Sequence, residues 1–147
     1  MKKIRTMLLL FASIYSIAEI KIETTSSMRG KDKEVCVGAC KRVGAFYNWY
    51  IGYLGKNKIA PLQHAVYDQY ITGQLRDKIL SKKESDEDIF FGQKDVDVQS
   101  DLVLSPVQFA DNKIYVLLQV KGKYNYTLKL EMIVQKDNWC INDVTRA

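Results

Sequence analysis

The chain has 147 residues, 47% of them hydrophobic and 27% charged, which is enough to build one core without metal staples. Its formal charge of +5 comes from 22 basic and 17 acidic residues, but Lys2, Lys3 and Arg5 supply three of the bases within the first five positions. Without them 19 bases face 17 acids, and a surplus of +2 excludes the concentrated basic face that a nucleic-acid binder needs to neutralise phosphates.

Behind that basic start, residues 7–18 are almost wholly apolar, and Ser16-Ile17-Ala18 supplies the small residues that a signal peptidase inspects. About a dozen apolar residues are too few to cross a bilayer core of roughly 30 Å, so residues 1–18 are expected to be a cleavable signal peptide. The cut falls between Ala18 and Glu19, and no cysteine stands there to take a lipid. A periplasmic or secreted product follows, a monomer or homodimer with no stable membrane insertion.

Residues 19–33 are polar and show neither helical nor strand period, as in a flexible, exposed lead-in; residues 34–147 then form one domain. From about Asp32 to Gly55, Val35, Cys36, Ala39, Cys40, Val43, Phe46, Tyr47, Tyr50, Ile51 and Leu54 recur at three- and four-residue steps. That is a long amphipathic helix, with Glu34, Lys41, Arg42 and Asn48 toward water. Pro61 suits the first turn of a second helix carrying Leu62, Ala65, Val66 and Tyr70 inward, and Thr72 caps a third with Leu75, Ile79 and Leu80 as its stripe.

Residues 84–101 carry seven acids against Lys94, a solvated loop pinned by Phe90 and Phe91. The period then switches to two. Residues 102–110 form a strand whose Pro106 belongs at an edge or bulge, and Asp111-Asn112 turns the chain. Ile114, Val116, Leu118 and Val120 face one side of the next strand; Tyr124, Tyr126, Leu128, Leu130, Met132 and Val134 do so after Gly122. Asp137-Asn138 makes the last turn before Trp139, Ile141 and Val144. The expected fold is α+β: three N-terminal helices packed on a curved antiparallel four-stranded meander.

Three of these segments, Phe46-Tyr47-Asn48-Trp49-Tyr50, Tyr70-Ile71-Thr72 and Asp137-Asn138-Trp139-Cys140-Ile141, flank an acidic stretch with paired aromatics. In this layout residues 34–145 resemble the small exported bacterial proteins of the domain of unknown function 3828 family, and beyond them the cone-shaped domains similar to nuclear transport factor 2 and cystatin. The resemblance implies a helix-covered curved sheet that often encloses a pocket, and an exported location. The three cysteines and the clustered tyrosines depart from the family pattern.

Cys36, Cys40 and Cys140 are odd in number; they read as buried small hydrophobes, or as one bridge from Cys140 to either of the other two. His64 with Asp68 one turn later lacks a nucleophile at any telling spacing, and Asp95, Asp97, Gln99 and Asp101 lack the glycine and glutamate of a calcium loop, Ser100 and Pro106 standing there instead. No phosphate loop, nucleophile elbow, zinc helix or dinucleotide fingerprint occurs, so no cofactor or metal is expected. Aromatics suit packing first; Trp49, Tyr50 and Tyr53 on the first helix, Tyr124 and Tyr126 on a strand, and Asp68 are the candidates for contacting a small amphipathic ligand or a protein partner. The functional expectation is an exported non-catalytic binding domain, inhibitor- or immunity-like. The alternative is a small periplasmic enzyme using Asp68 or a tyrosine as acid or base.

Overall fold

The computed structural model describes residues 19–23, 30–57, 65–82, 87–94, 96–108 and 113–147. The signal peptide, Pro61, Leu62, His64, Glu84, Asp86, Asp95 and Asp111-Asn112 lie outside the described residues, as does the side chain of Val66.

The strands are β1 (Ile20–Ile22), β2 (Asp101–Gln108), β3 (Ile114–Lys121), β4 (Asn125–Gln135) and β5 (Asn138–Arg146); the helices are α1 (Gly30–Asn57), α2 (Ala65–Tyr70) and α3 (Gly73–Ser81). They form an α+β domain in which α1 lies across one face of a five-stranded sheet ordered β1-β2-β3-β4-β5. The sheet is mixed: β2 to β5 are the expected antiparallel meander, while β1 runs parallel to β2. The extra strand comes from the stretch read as a lead-in. Ile20-Lys21-Ile22 is too short to display a period, and its pairing is tertiary: Leu102 N–H donates to the Glu19 carbonyl at 2.8 Å and Glu23 N–H to the Leu104 carbonyl at 2.8 Å. The helices also differ from the expected three-helix layer. Among the described residues α1 packs across several strands, whereas α2 and α3 pack on β5, where Ile71 bridges Ile141 and Thr72 N–H donates to the Ile141 carbonyl at 3.0 Å.

The α1 stripe is buried as its spacing predicts through Cys36, Ala39, Cys40, Val43, Phe46, Tyr47 and Tyr50, against Leu102, Leu104, Val116, Leu118, Leu128, Leu130 and Met132 from the sheet. Positions at or near the ends of elements depart from the pattern: Val35, Leu80, Tyr124 and Val134 are exposed. Pro106 sits on β2 beyond Leu104, the last residue that β1 pairs, so β2 is locally an edge there and no ladder bond is missed.

Three local devices fix the β5 side. Thr72 is the N-cap of α3, its hydroxyl oxygen accepting from Leu75 N–H at 3.2 Å. A bulge pairs Glu131 with Asp143 but Met132 with Ile141, leaving Asn142 as the extra residue, and its side-chain oxygen accepts from the Thr72 hydroxyl at 2.8 Å. The β4–β5 turn is Lys136-Asp137, one residue earlier than expected. Both residues have positive φ, 50° and 64°, the signature of a type I′ hairpin matched to strand twist.

Candidate functional site

Two regions concentrate polar chemistry, and α1 contributes to both. The first joins the aromatic half of α1 to the acidic loop. Phe46 lies among the rings of Tyr50, Tyr67, Tyr70 and Phe90, with centroids 4.7 to 6.2 Å away. Phe90 and Phe91 are fully buried, and the Tyr47 hydroxyl donates to the Phe90 carbonyl at 2.6 Å. Asp88 enters this cluster with its carboxylate, accepting from the Tyr50 hydroxyl and from the N–H groups of Phe90 at 2.9 Å and Phe91 at 3.1 Å. Burial pushes the Asp88 carboxyl above the ordinary aspartate range, against the hydrogen bonds from Tyr50, Phe91 and Phe90 that pull it down. Burial, with Asp88 nearby, likewise raises the phenols of Tyr47 and Tyr50. The Tyr67 hydroxyl is buried beside them, near enough to the Tyr50 hydroxyl for each to act on the other's titration, but without hydrogen-bond geometry to any partner among the described residues. One acid of the supposedly solvated loop is thus an internal acceptor.

The second region is a groove of about 570 Å³ between the α2–α3 elbow and the β4–β5 hairpin. Arg42 joins its walls from α1, donating to the Trp139 carbonyl at 3.1 Å and to the Gln69 carbonyl, with its guanidinium 4.0 Å above the Tyr70 ring. On the elbow, Arg76 pairs with Asp68 at 2.5 Å, and Thr72 and Gly73 open the first turn of α3 onto the space. On the hairpin side stand Gln135, Lys136, Asn138 and Cys140. Three cations against one carboxylate give the lining a surplus of positive charge. Burial raises the Cys140 thiol, and Arg42 and Lys136 oppose that rise, so both cations act on the same space.

The residues expected at a site are dispersed. Tyr50 is core; Trp49 and Tyr53 are half-buried, in tilted ring contact at 5.6 Å beside it. Tyr124 is exposed between β3 and β4, and Tyr126 is half-buried under the Arg146 guanidinium at 4.3 Å. Burial lifts the Tyr126 phenol to about 12, partly offset by Arg146. Asp68 alone of the six lines the groove. The cysteines are free and buried: Cys36 and Cys40 belong to the core under α1, with Cys40 pushed to about 12 by burial, and Cys140 faces the groove.

Sequence reasoning passed over Arg42, Arg76 and Lys136. The spacing sets Arg42 toward water, yet it stands three residues after Ala39 and four before Phe46, so a charge within the flank of the apolar stripe is the available signal. Nothing local marks Arg76 or Lys136; only the fold brings them near Arg42.

Among the described residues no helix is long and apolar enough to cross a membrane, and no group of three or more histidine, cysteine, aspartate or glutamate side chains is placed to hold a metal ion. No family model matches the chain, and no curated protein matches it. Among solved structures, its fold is similar to that of a chain in the native type VI effector–immunity complex Tae3–Tai3 from Ralstonia pickettii, with a TM-score of 0.63 and 12% identity over 73% of this chain and 93% of that one. The selenomethionine form of the same complex gives a TM-score of 0.59 at 12% identity, over 73% and 94%. At that identity the likeness is one of fold, a helix packed on a sheet, spanning almost the whole of the matched chain.

Proposed function

We propose that this chain is an exported, immunity-like protein that binds a protein partner and blocks it. The observation that carries the reading is the near-complete overlap with a chain that works inside an effector–immunity complex: 93% of that chain is covered, so the likeness takes in a whole domain. Export rests on the basic start, the apolar run and the small residues before Glu19. The cone-shaped likeness to nuclear transport factor 2, and membership of the domain of unknown function 3828 family, belong to the same proposal.

The test is purification of the native protein from the cell envelope under mild conditions. A mature N-terminus at Glu19 and one stoichiometric partner, whose activity falls as this protein is added back, are expected. A chain that keeps Met1, or a partner that stays fully active when saturated, overturns the reading.

A further inference from the structure

We propose that the groove between the α2–α3 elbow and the β4–β5 hairpin receives an acidic segment of the partner protein, so that carboxylates of the partner meet Arg42, Arg76 and Lys136. The inference rests on the immunity-like reading and adds the chemistry of its partner.

Charge complementarity selects the occupant. Arg42 is held by two carbonyls and a ring, so its guanidinium is oriented before anything binds and little side-chain freedom remains to be lost. Arg76 already holds a carboxylate, that of Asp68, and demonstrates the geometry an incoming one would use. Lys136 makes no ion pair among the described residues and lines the groove from the β4–β5 turn. The start of α3, capped by Thr72, adds a positive dipole end on the same side. Gln69, Gln135 and Asn138 offer amide donors and acceptors suited to a peptide backbone. A nucleic acid fits less well, because the Tyr70 face that could stack a base is already covered by Arg42.

The full chain is titrated with a capped Asp-Glu-Asp-Glu peptide, with its Asn-Gln-Asn-Gln counterpart, and with inorganic phosphate, following backbone amide signals. The acidic peptide should shift residues 68–76 and 135–140 saturably, and should bind about tenfold more weakly when salt rises from about 50 to about 500 mM. Lys136→Glu should abolish those shifts with the melting temperature kept, and Arg76→Gln should weaken binding about tenfold. Equal binding of the neutral peptide, tighter binding of phosphate than of peptide, or unchanged binding by Lys136→Glu overturns the proposal. The two readings fail separately. A native partner captured equally well by Lys136→Glu removes the groove and leaves the immunity-like function; acidic-peptide binding with a partner that stays active when saturated does the reverse.

Discussion

The aromatic cluster and the groove are both built by α1 and a segment far away in sequence, yet they use polar atoms in opposite ways. In the cluster, the hydroxyls of Tyr47 and Tyr50 and the carboxylate of Asp88 satisfy one another or the backbone inside the protein. Around the groove, Arg76, Lys136, Gln135 and Asn138 line open space. A dense run of aromatics is therefore a mark of packing here, while a sparse set of charges gathered by the fold marks the surface available to a partner. Substitutions should separate the two regions by what they damage.

The largest loss is expected at Phe46. Phe46→Ala removes a fully buried ring from among at least four others and should cost about 3 to 5 kcal/mol, measured by chemical denaturation. Trp139→Ala should cost less, about 2 kcal/mol, because its ring is half-buried and it is the carbonyl, kept in alanine, that receives Arg42. Equal losses at the two sites would mean that the edge of the core at Trp139 is as tightly packed as the cluster.

That contrast also measures what the sequence discloses. The helical stripe of α1 and the alternation in β3 are legible because burial on one face repeats at the period of the element, and the Thr72 cap is legible because its partner is three residues away. The β1 strand, the Asp88 acceptor and the groove are not. Each depends on contacts between distant positions, 82 residues apart for Glu19 and Asp101, 38 for Tyr50 and Asp88, and 97 for Arg42 and Trp139. No local pattern encodes such pairs. The candidate residues chosen from sequence were conspicuous by side-chain type, and of them only Asp68 lines the groove.

The next largest effect concerns Asp88. Asp88→Ala leaves the Tyr50 hydroxyl and two N–H groups without their acceptor and should cost about 2 to 4 kcal/mol. Asp88→Asn keeps an acceptor oxygen and should show the sign of the titration. Since burial raises the folded carboxyl above its ordinary value of 3.8, the stability it contributes is fully present below that value and is lost as pH rises through the folded value. Asp97 has the opposite sign: N–H donors from Gln99 and Lys123 lower its carboxyl, so its contribution is present above the ordinary value and is lost as pH falls through the folded one. Denaturation midpoints across acid to neutral pH should therefore show Asp88→Asn gaining on the parent with rising pH and Asp97→Asn losing ground. The same trend in both variants would mean that the hydrogen bonds from Tyr50, Phe91 and Phe90 outweigh burial at Asp88.

Tyr67→Phe probes the cluster's unused hydroxyl. Removing a buried donor that has no partner among the described residues should leave stability unchanged or raise it by up to about 1 kcal/mol, whereas Tyr47→Phe should lower it by about 1 kcal/mol through loss of the 2.6 Å bond to Phe90. A clear loss in Tyr67→Phe would give that hydroxyl a partner in the Tyr50–Asp88 network.

The smallest effect separates stability from chemistry at the groove mouth. Lys136 and Asp137 both hold positive φ, a backbone region that costs an ordinary side chain roughly 1 kcal/mol or more and that asparagine or glycine tolerates better. An Asn-Gly pair would suit this turn best, yet the chain places a lysine and an aspartate there, and the lysine lines the groove. Asp137→Gly should stabilise the protein by about 0.5 to 1 kcal/mol and leave acidic-peptide binding intact, because only backbone strain is relieved. Lys136→Asn should stabilise by a similar few tenths and still weaken the peptide, because the relief is obtained by removing a cation from the lining. A shift in melting temperature of the same sign in both variants, with peptide binding lost only in the second, is the expected pattern. Binding lost in both would make the shape of the turn, and not the charge of Lys136, the feature that the partner reads.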